Sequence, residues 1–345
     1  MGPVTDEQAM RLALDEARKG VGRTAPNPPV GAVVVRDGEV LGSGWHRKAG
    51  APHAEREAIA AVTQTHGAQA LRGATIYITL EPCSTQGRTP PCTQGLIEAG
   101  LARVVYACVD ANAAHAGRAD AILKEAGIEV VSGVCRAEAE AMLRPFFKVQ
   151  RTGLPWVIWK TAMSLDGKIT RPPGEGQWLT GEDARMDVQR LRSQVDAILT
   201  SGETVRRDQP ELTIRVAELL EGREQPWRVI FTDQPETLPK SAPLLCDAHQ
   251  ARTLIRPRSD LAGSLRRLVA EQGALSCMTE AGGVFSAALF EAGLVDEVVV
   301  YLAPLLCGGP VPALAGAGLP ESLKLVDLNY QQLGPDLRMR GRIGP

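Results

Sequence analysis

Two periods of apolar residue alternate along the chain: the three-to-four spacing of amphipathic helices, and short dense runs that suit buried strands. Ala9, Leu12, Ala13 and Ala17 line one helical face, preceded by a Thr5/Gln8 capping box and closed by Gly20. GAVVV and VLGSGW flank the turn RDGE, where Asp37-Gly38 supplies the chemistry of a two-residue hairpin. Then follow helix EREAIAAV, strand Ala74–Leu80 (ATIYITL), helix TQGLIEAG ending at Gly100, and strand RVVYACV. Helix RADAILKEAG, strand IEVVSG and helix RAEAEAMLRPFF complete this half. Strands alternating with helices predict an α/β domain: a mostly parallel sheet with helices on both faces.

The segment KVQRTGLP reads as a boundary, dividing the chain into domains over 1–148 and 154–345. Beyond it comes strand PWVIWKTAMS, then SLDGKIT and the loop RPPGEGQWLT. Helix EDARMDVQRLRSQ then places Glu182 and Asp183 in its first turn and Arg190 and Arg192 near its end. Strand DAILTSG leads to ETVRRDQPELTIR, and WRVIFTD, ARTLIR, LSCMTE and DEVVVYLAP are further strands. TEAGGVFSAALFEAG reads as strand, Gly282-Gly283, then helix. Two glycines at a helix N-terminus let backbone amides approach a phosphate, although such pairs also mark plain turns. No G-x-G-x-x-G follows a first strand, which excludes an ordinary Rossmann domain.

The chemistry concentrates in two stretches, Pro52-His53-Ala54-Glu55 and Pro82-Cys83 through Pro91-Cys92. One imidazole and two thiols leave a tetrahedral zinc ion an open fourth position, the arrangement of a catalytic site. Zinc lowers the pKa of a water toward ~7, and Glu55, two residues from His53, is placed to move its proton. H-x-E followed by P-C-x-x-C is the signature of nucleobase deaminases. Here eight residues, Ser84 to Pro91, replace the usual two between the cysteines. An H-x-E triplet occurs by chance in many chains, and two cysteines can be ordinary buried thiols. The paired prolines and the apolar strand delivering Cys83 make the joint pattern specific. Asn27, held between prolines, suits base recognition or a plain turn, and His46 taken alone is as readily structural.

Composition narrows the partners. Among 345 residues 44 % are hydrophobic and 23 % charged, with no apolar run near the ~20 residues of a membrane span. The polar, acidic start MGPVTDEQAM lacks the features of a secretory signal. Seven dispersed cysteines suggest a reducing cytoplasm. A net charge of −2 with 4 % aromatics argues against a nucleic-acid groove and for a small-molecule substrate.

Taken together, PNPPVG, HAE, LEPCSTQGRTPPC, KTAMSLDGKIT, GEGQWLT, LRSQVDAILTSGETVRRDQPELTIR, TEAGG and YLAPLLCGG closely resemble the bifunctional riboflavin-biosynthesis deaminase/reductase family over nearly the whole chain. The resemblance implies a cytidine-deaminase-like three-layer domain followed by a dihydrofolate-reductase-like domain that uses NADPH. It implies zinc on His53, Cys83 and Cys92, proton transfer by Glu55, and substrate contacts from Asn27, His46, Arg88, Asp110 and Asn112. In the second half it implies substrate contacts from Lys160, Gly176, Thr180, Arg192, Leu212, Arg215 and Glu280. Ala162, Trp178, Thr204, Asp208, Gly282 and Gly283 fall on the cofactor side. The implied substrate is a pyrimidine ribosyl phosphate, and the implied assembly a homo-oligomer, dimer or tetramer. One departure is DANA at 110–113, where the family carries DPNP; it implies a more mobile loop. Lys160, Arg192 and Arg215 also suit a phosphate on physical grounds, though any one of them alone could be a solvated cation. Two rivals stand beside this reading: a deaminase whose second half is a non-catalytic nucleotide sensor or assembly domain, and a nucleoside or RNA deaminase with an unrelated appendage.

Overall fold

The computed structural model describes residues 2–85, 90–111 and 117–344. It divides into two compact units, Met1–Thr152 and Gly153–Pro345, each with its own sheet.

The first unit runs α1 (Asp6–Arg18), β1 (Gly31–Arg36), β2 (Glu39–Trp45), α2 (Ala54–His66), β3 (Thr75–Ile78), α3 (Cys92–Glu98), β4 (Arg103–Tyr106), α4 (Arg118–Glu125), β5 (Glu129–Ser132) and α5 (Arg136–Thr152). The capping box at Thr5 and Gln8 is present in both directions. The hairpin turns at Asp37 and Gly38, both at positive φ, as a type I′ turn requires. The sheet order is β2-β1-β3-β4-β5; β1 is antiparallel to β2 and β3, and β3, β4 and β5 are parallel. Ala32, Val34, Ile76, Ile78 and Val104 pack with Ala58 and Val62 of α2, Leu96 of α3 and Leu123 of α4. α2 lies so close to β2 that a Cβ on Gly44 would stand 2.5 Å from the Ala58 nitrogen. That contact fixes the helix that begins at His53. α5 continues past residue 148 to Thr152, and the division between units falls inside KVQRTGLP.

The second unit comprises β6 (Trp156–Ser164), α6 (Glu182–Arg192), β7 (Ala197–Ser201), α7 (Gly202–Asp208), α8 (Ala217–Leu220), β8 (Trp227–Phe231), α9 (Pro243–Cys246), β9 (Thr253–Arg256), α10 (Leu261–Gln272), β10 (Ser276–Thr279), α11 (Gly283–Glu291), β11 (Glu297–Ala303), β12 (Leu325–Leu333) and β13 (Asp336–Ile343). Its eight-stranded sheet has the order β12-β13-β11-β6-β10-β7-β8-β9, parallel from β11 to β9, with β13 and β12 added antiparallel. Val157, Leu199, Val229 and Cys277 enter one core, while their neighbours Ile158, Ile198, Ile230 and Met278 enter another. Both faces are therefore covered, which is why these strands read as unbroken apolar runs.

β6 ends at Ser164, the last residue of the predicted strand, because the Gly167 amide donates back to the Ser164 carbonyl and Asp166 accepts from the Ser164 hydroxyl. Other features differ from the sequence reading. α6 ends at Arg192, with Ser193 as its cap, instead of reaching Gln194. The β12–β13 hairpin was not expected from the sequence.

Candidate active site

The parallel strands of the first unit end at a cluster of soft donors. His53 is the N-cap residue of α2, and its side chain makes no capping bond. Cys83 follows β3 by a short extended segment, and Cys92, after the N-cap Pro91, is the first residue of α3. His53 Nδ1 lies 3.2 Å from Cys92 Sγ and 3.6 Å from Cys83 Sγ, and all three atoms lie within 4.8 Å of one another. An ion with Zn–N ~2.1 Å and Zn–S ~2.3 Å at tetrahedral angles would hold nitrogen and sulfur ~3.6 Å apart. The donor set and its spacing fit zinc.

Backbone and charge support the cluster. The Cys92 amide donates to Cys83 Sγ over 3.3 Å, and the Thr93 amide donates to the Cys83 carbonyl, so the N-terminus of α3 faces the sulfur. A hydrogen bond from the Cys92 side chain brings the Cys83 thiol down to about 4, helped by His53 and by the Cys92 amide. The side-chain pairing with Cys83, together with burial, pushes Cys92 up. Hydrogen bonding to Cys83 raises His53. Glu55 is 3 % exposed, burial raises its pKa, and its Oε2 has no hydrogen-bond partner. A buried carboxylate oxygen left open beside a metal-shaped donor set suits a group that handles protons there.

The neighbouring polar groups are fixed. His46 is buried, and burial lowers its pKa, so its ring is neutral. Its Nδ1–H donates to the Pro52 carbonyl, which leaves Nε2 to accept from Asn27 Nδ2 at 3.0 Å. The ring stands edge-on to His53 with centroids 5.3 Å apart. Asn27, His46 and His53 thus form one contiguous group. Asp110 is buried beyond β4. Arg88 and Asn112, and with them the expected mobility of the DANA loop, lie outside the described residues.

In the second unit, Glu280 follows β10 and gathers the cations. Arg192 grips it with two bonds, Nε to Oε1 at 2.6 Å and Nη2 to Oε2 at 3.0 Å, and its Nη1 donates to the Thr213 carbonyl. Lys160 Nζ is 3.8 Å from Oε2. Burial would raise Glu280, but Arg192 and Lys160 reverse it and hold it at about 2. Burial lowers Lys160. The Arg192 fork is therefore committed within the protein, whereas Arg215 is half-exposed and only loosely paired with Glu211 at 3.9 Å. Leu212 is buried at positive φ between them. Gly176, Trp178 and Thr180 lie on the segment before α6; Arg185 lies over the Trp178 ring and donates to the Thr180 carbonyl. Ala162 lies on β6 opposite Tyr301 of β11. Thr204 accepts from the Gly282 amide at 3.4 Å, which joins α7 to the α11 N-terminus, and burial raises Asp208 at the end of α7. A Cβ on Gly282 would meet open space, while one on Gly283 would stand 2.4 Å from the Pro312 carbonyl oxygen. Packing therefore requires a glycine at 283, while the Cβ side of Gly282 is open.

Known proteins match both halves. Residues 3–108 match the family described as the cytidine and deoxycytidylate deaminase zinc-binding region, and residues 155–339 match the RibD C-terminal domain. The chain is 41 % identical to the riboflavin biosynthesis protein RibD of Escherichia coli, covering 96 % of this chain and 98 % of that protein. It is 39 % identical to RibD of Haemophilus influenzae, over 96 % and 95 % of the two chains. The structure of Acinetobacter baumannii RibD superposes with a TM-score of 0.89 at 36 % identity, covering 99 % of each chain.

The chain belongs to the RibD family.

It is a bifunctional enzyme with a cytidine-deaminase-like domain followed by a RibD reductase domain, and these imply zinc and a nicotinamide cofactor respectively. This disfavours a deaminase carrying a non-catalytic appendage. Among the described residues no helix is long and apolar enough to cross a membrane. One buried carboxylate of this RibD-family chain escaped the sequence reading. Glu81, within LEPC, accepts from the amides of Asp110, Gly117 and Ala119. Its place two residues before Cys83 was the available signal. Its partners, 29 to 38 residues downstream, are visible only in the fold.

Proposed function

We propose that the first unit deaminates 2,5-diamino-6-ribosylamino-4(3H)-pyrimidinone 5′-phosphate and that the second reduces the ribosyl side chain of the product with NADPH, giving 5-amino-6-(5-phosphoribitylamino)uracil. Both activities are in the name of the Thermotoga maritima relative, a diaminohydroxyphosphoribosylaminopyrimidine deaminase/5-amino-6-(5-phosphoribosylamino)uracil reductase, 31 % identical with a TM-score of 0.85 over 98 % of this chain. The observation that carries the deaminase reading is the convergence of His53, Cys83 and Cys92 beside the open Oε2 of Glu55.

His53, Cys83 and Cys92 would hold zinc, which supplies a Lewis acid that makes water available for attack at neutral pH. Glu55 takes the proton from that water and returns it to the departing amine, so one carboxylate serves as base and then acid. Its raised pKa matches a group that must carry a proton for part of the cycle. Asn27 and neutral His46 orient the pyrimidine, and Asp110, with Arg88 and Asn112, holds the ribose phosphate. In the second unit Lys160 and Glu280 face the ribosyl group. Arg215, half-exposed and only loosely paired with Glu211, is the cation that suits the phosphate, while Arg192 holds Glu280 in place. Gly176, Thr180 and Leu212 shape the substrate side. Ala162, Trp178, Thr204, Asp208 and the Gly282-Gly283 segment suit the cofactor, and NADPH, when bound, supplies the hydride. The free cysteines support a reducing, cytoplasmic setting, and we place self-association of the chain, as a dimer or tetramer, in the reductase half.

The test is Glu55→Gln. We expect full zinc content, ammonia release slowed by about 100- to 10 000-fold, and unchanged NADPH oxidation on substrate that is already deaminated. Loss of both activities would sink the two-site reading.

A further inference from the structure

We infer that Glu81 is a positioning residue for the deaminase: it sets the loop after β4 so that Asp110 meets the substrate. The inference rests on the proposed substrate contact of Asp110. α4 begins badly by its own local sequence. Its N-cap residue, Gly117, has no side chain and sits at φ +74°, and no side-chain cap is made locally. The cap comes from another element. Glu81 Oε1 accepts from the Ala119 amide at 3.2 Å, in the first turn of α4, and Oε2 accepts from the Gly117 amide at 3.0 Å. The same Oε2 also accepts from the Asp110 amide at 3.2 Å.

One buried carboxylate therefore ties both flanks of the loop, at 110 and at 117, to one point. That point belongs to the metal-bearing segment. The Glu81 amide donates to the Cys108 carbonyl at 2.8 Å, extending the β3–β4 pairing, and Cys83 follows two residues later. Three amides on one carboxylate are charge-assisted bonds, each stronger than a neutral one. They fix the distance between the Cys83 ligand and the Asp110 backbone. A glutamine at 81 keeps the size, loses the charge, and turns an N–H₂ toward amides that already donate.

The experiment is a double-mutant cycle of Glu81→Gln and Asp110→Asn in the full-length, zinc-loaded enzyme. Ammonia release is measured for kcat and KM, with bound zinc and NADPH oxidation on pre-deaminated substrate as controls. Glu81→Gln should raise the deaminase KM roughly tenfold, change kcat by less than about threefold, and keep full zinc and full reductase activity. If Glu81 works through Asp110, the double variant should be scarcely worse than Asp110→Asn alone. If Glu81→Gln loses zinc, Glu81→Asp replaces it in the cycle, and zinc loss there too would make Glu81 a residue of the fold only and overturn the inference. It is equally overturned if Asp110→Asn raises KM and Glu81→Gln does not, or if the two effects simply multiply. Should Asp110→Asn itself leave KM unchanged, the assignment of Asp110 to the substrate is what has failed.

Discussion

At the residue scale, the second unit depends on a buried charge cluster whose sign is uneven: two cations, Lys160 and Arg192, share one anion, Glu280. Removing the anion leaves two buried positive charges uncompensated. Glu280→Gln should therefore destabilise this unit at pH 7 by about 3–5 kcal/mol. The effect depends on pH in a defined direction. Glu280 is held at about 2 in the folded state, below its ordinary 4.5, so the unfolded chain binds the extra proton between those values. The stabilisation is complete above about 4.5 and is lost as pH falls toward about 2. Denaturant titrations of the wild type and Glu280→Gln should converge across that window; a gap that stayed constant would show that Glu280 is not the titrating group. The convergence of His53, Cys83 and Cys92 was legible in the sequence because their chemistry is rare and their spacing narrow. The commitment of Arg192 was not. A sequence shows that an arginine is present but not which of its five donors a carboxylate 88 positions away has already taken.

At the element scale, Gly282 and Gly283 look alike in the sequence and do different work. Gly283 starts α11 against the Pro312–Ala315 backbone, and a methyl group has no room there. Gly283→Ala should cost about 1–3 kcal/mol of stability, read by thermal denaturation of the reductase unit. Gly282 has φ −71° and open space, so Gly282→Ala should fold within about 0.5 kcal/mol of wild type. Its effect should appear as a raised KM for NADPH. An equal loss of stability from both substitutions would show that the two glycines share one packing role. The alternating helices and strands were readable because buried parallel strands are continuous apolar runs. The β12–β13 hairpin was not. β12 is mostly exposed, so no core selects an alternation, and the pairing slips between Val326 and Asn329, where Asp327 takes positive φ.

For the whole molecule, each unit carries its own sheet and core, and the proposed metal donors come from the N-cap of α2, the start of α3 and the segment after β3, all within the first unit. Stripping zinc with dipicolinate should abolish ammonia release and lower the melting of that unit, while NADPH oxidation on pre-deaminated substrate stays within about twofold of its starting rate. A matching fall in reductase activity would show that the second unit depends on the first for its fold. Since both catalysts are one polypeptide, every ribosome that finishes the chain delivers them in a one-to-one ratio. Changes in expression cannot enrich one over the other. Any accumulation of the deaminated intermediate is therefore decided by the two turnover numbers and by how quickly that intermediate escapes, not by dosage.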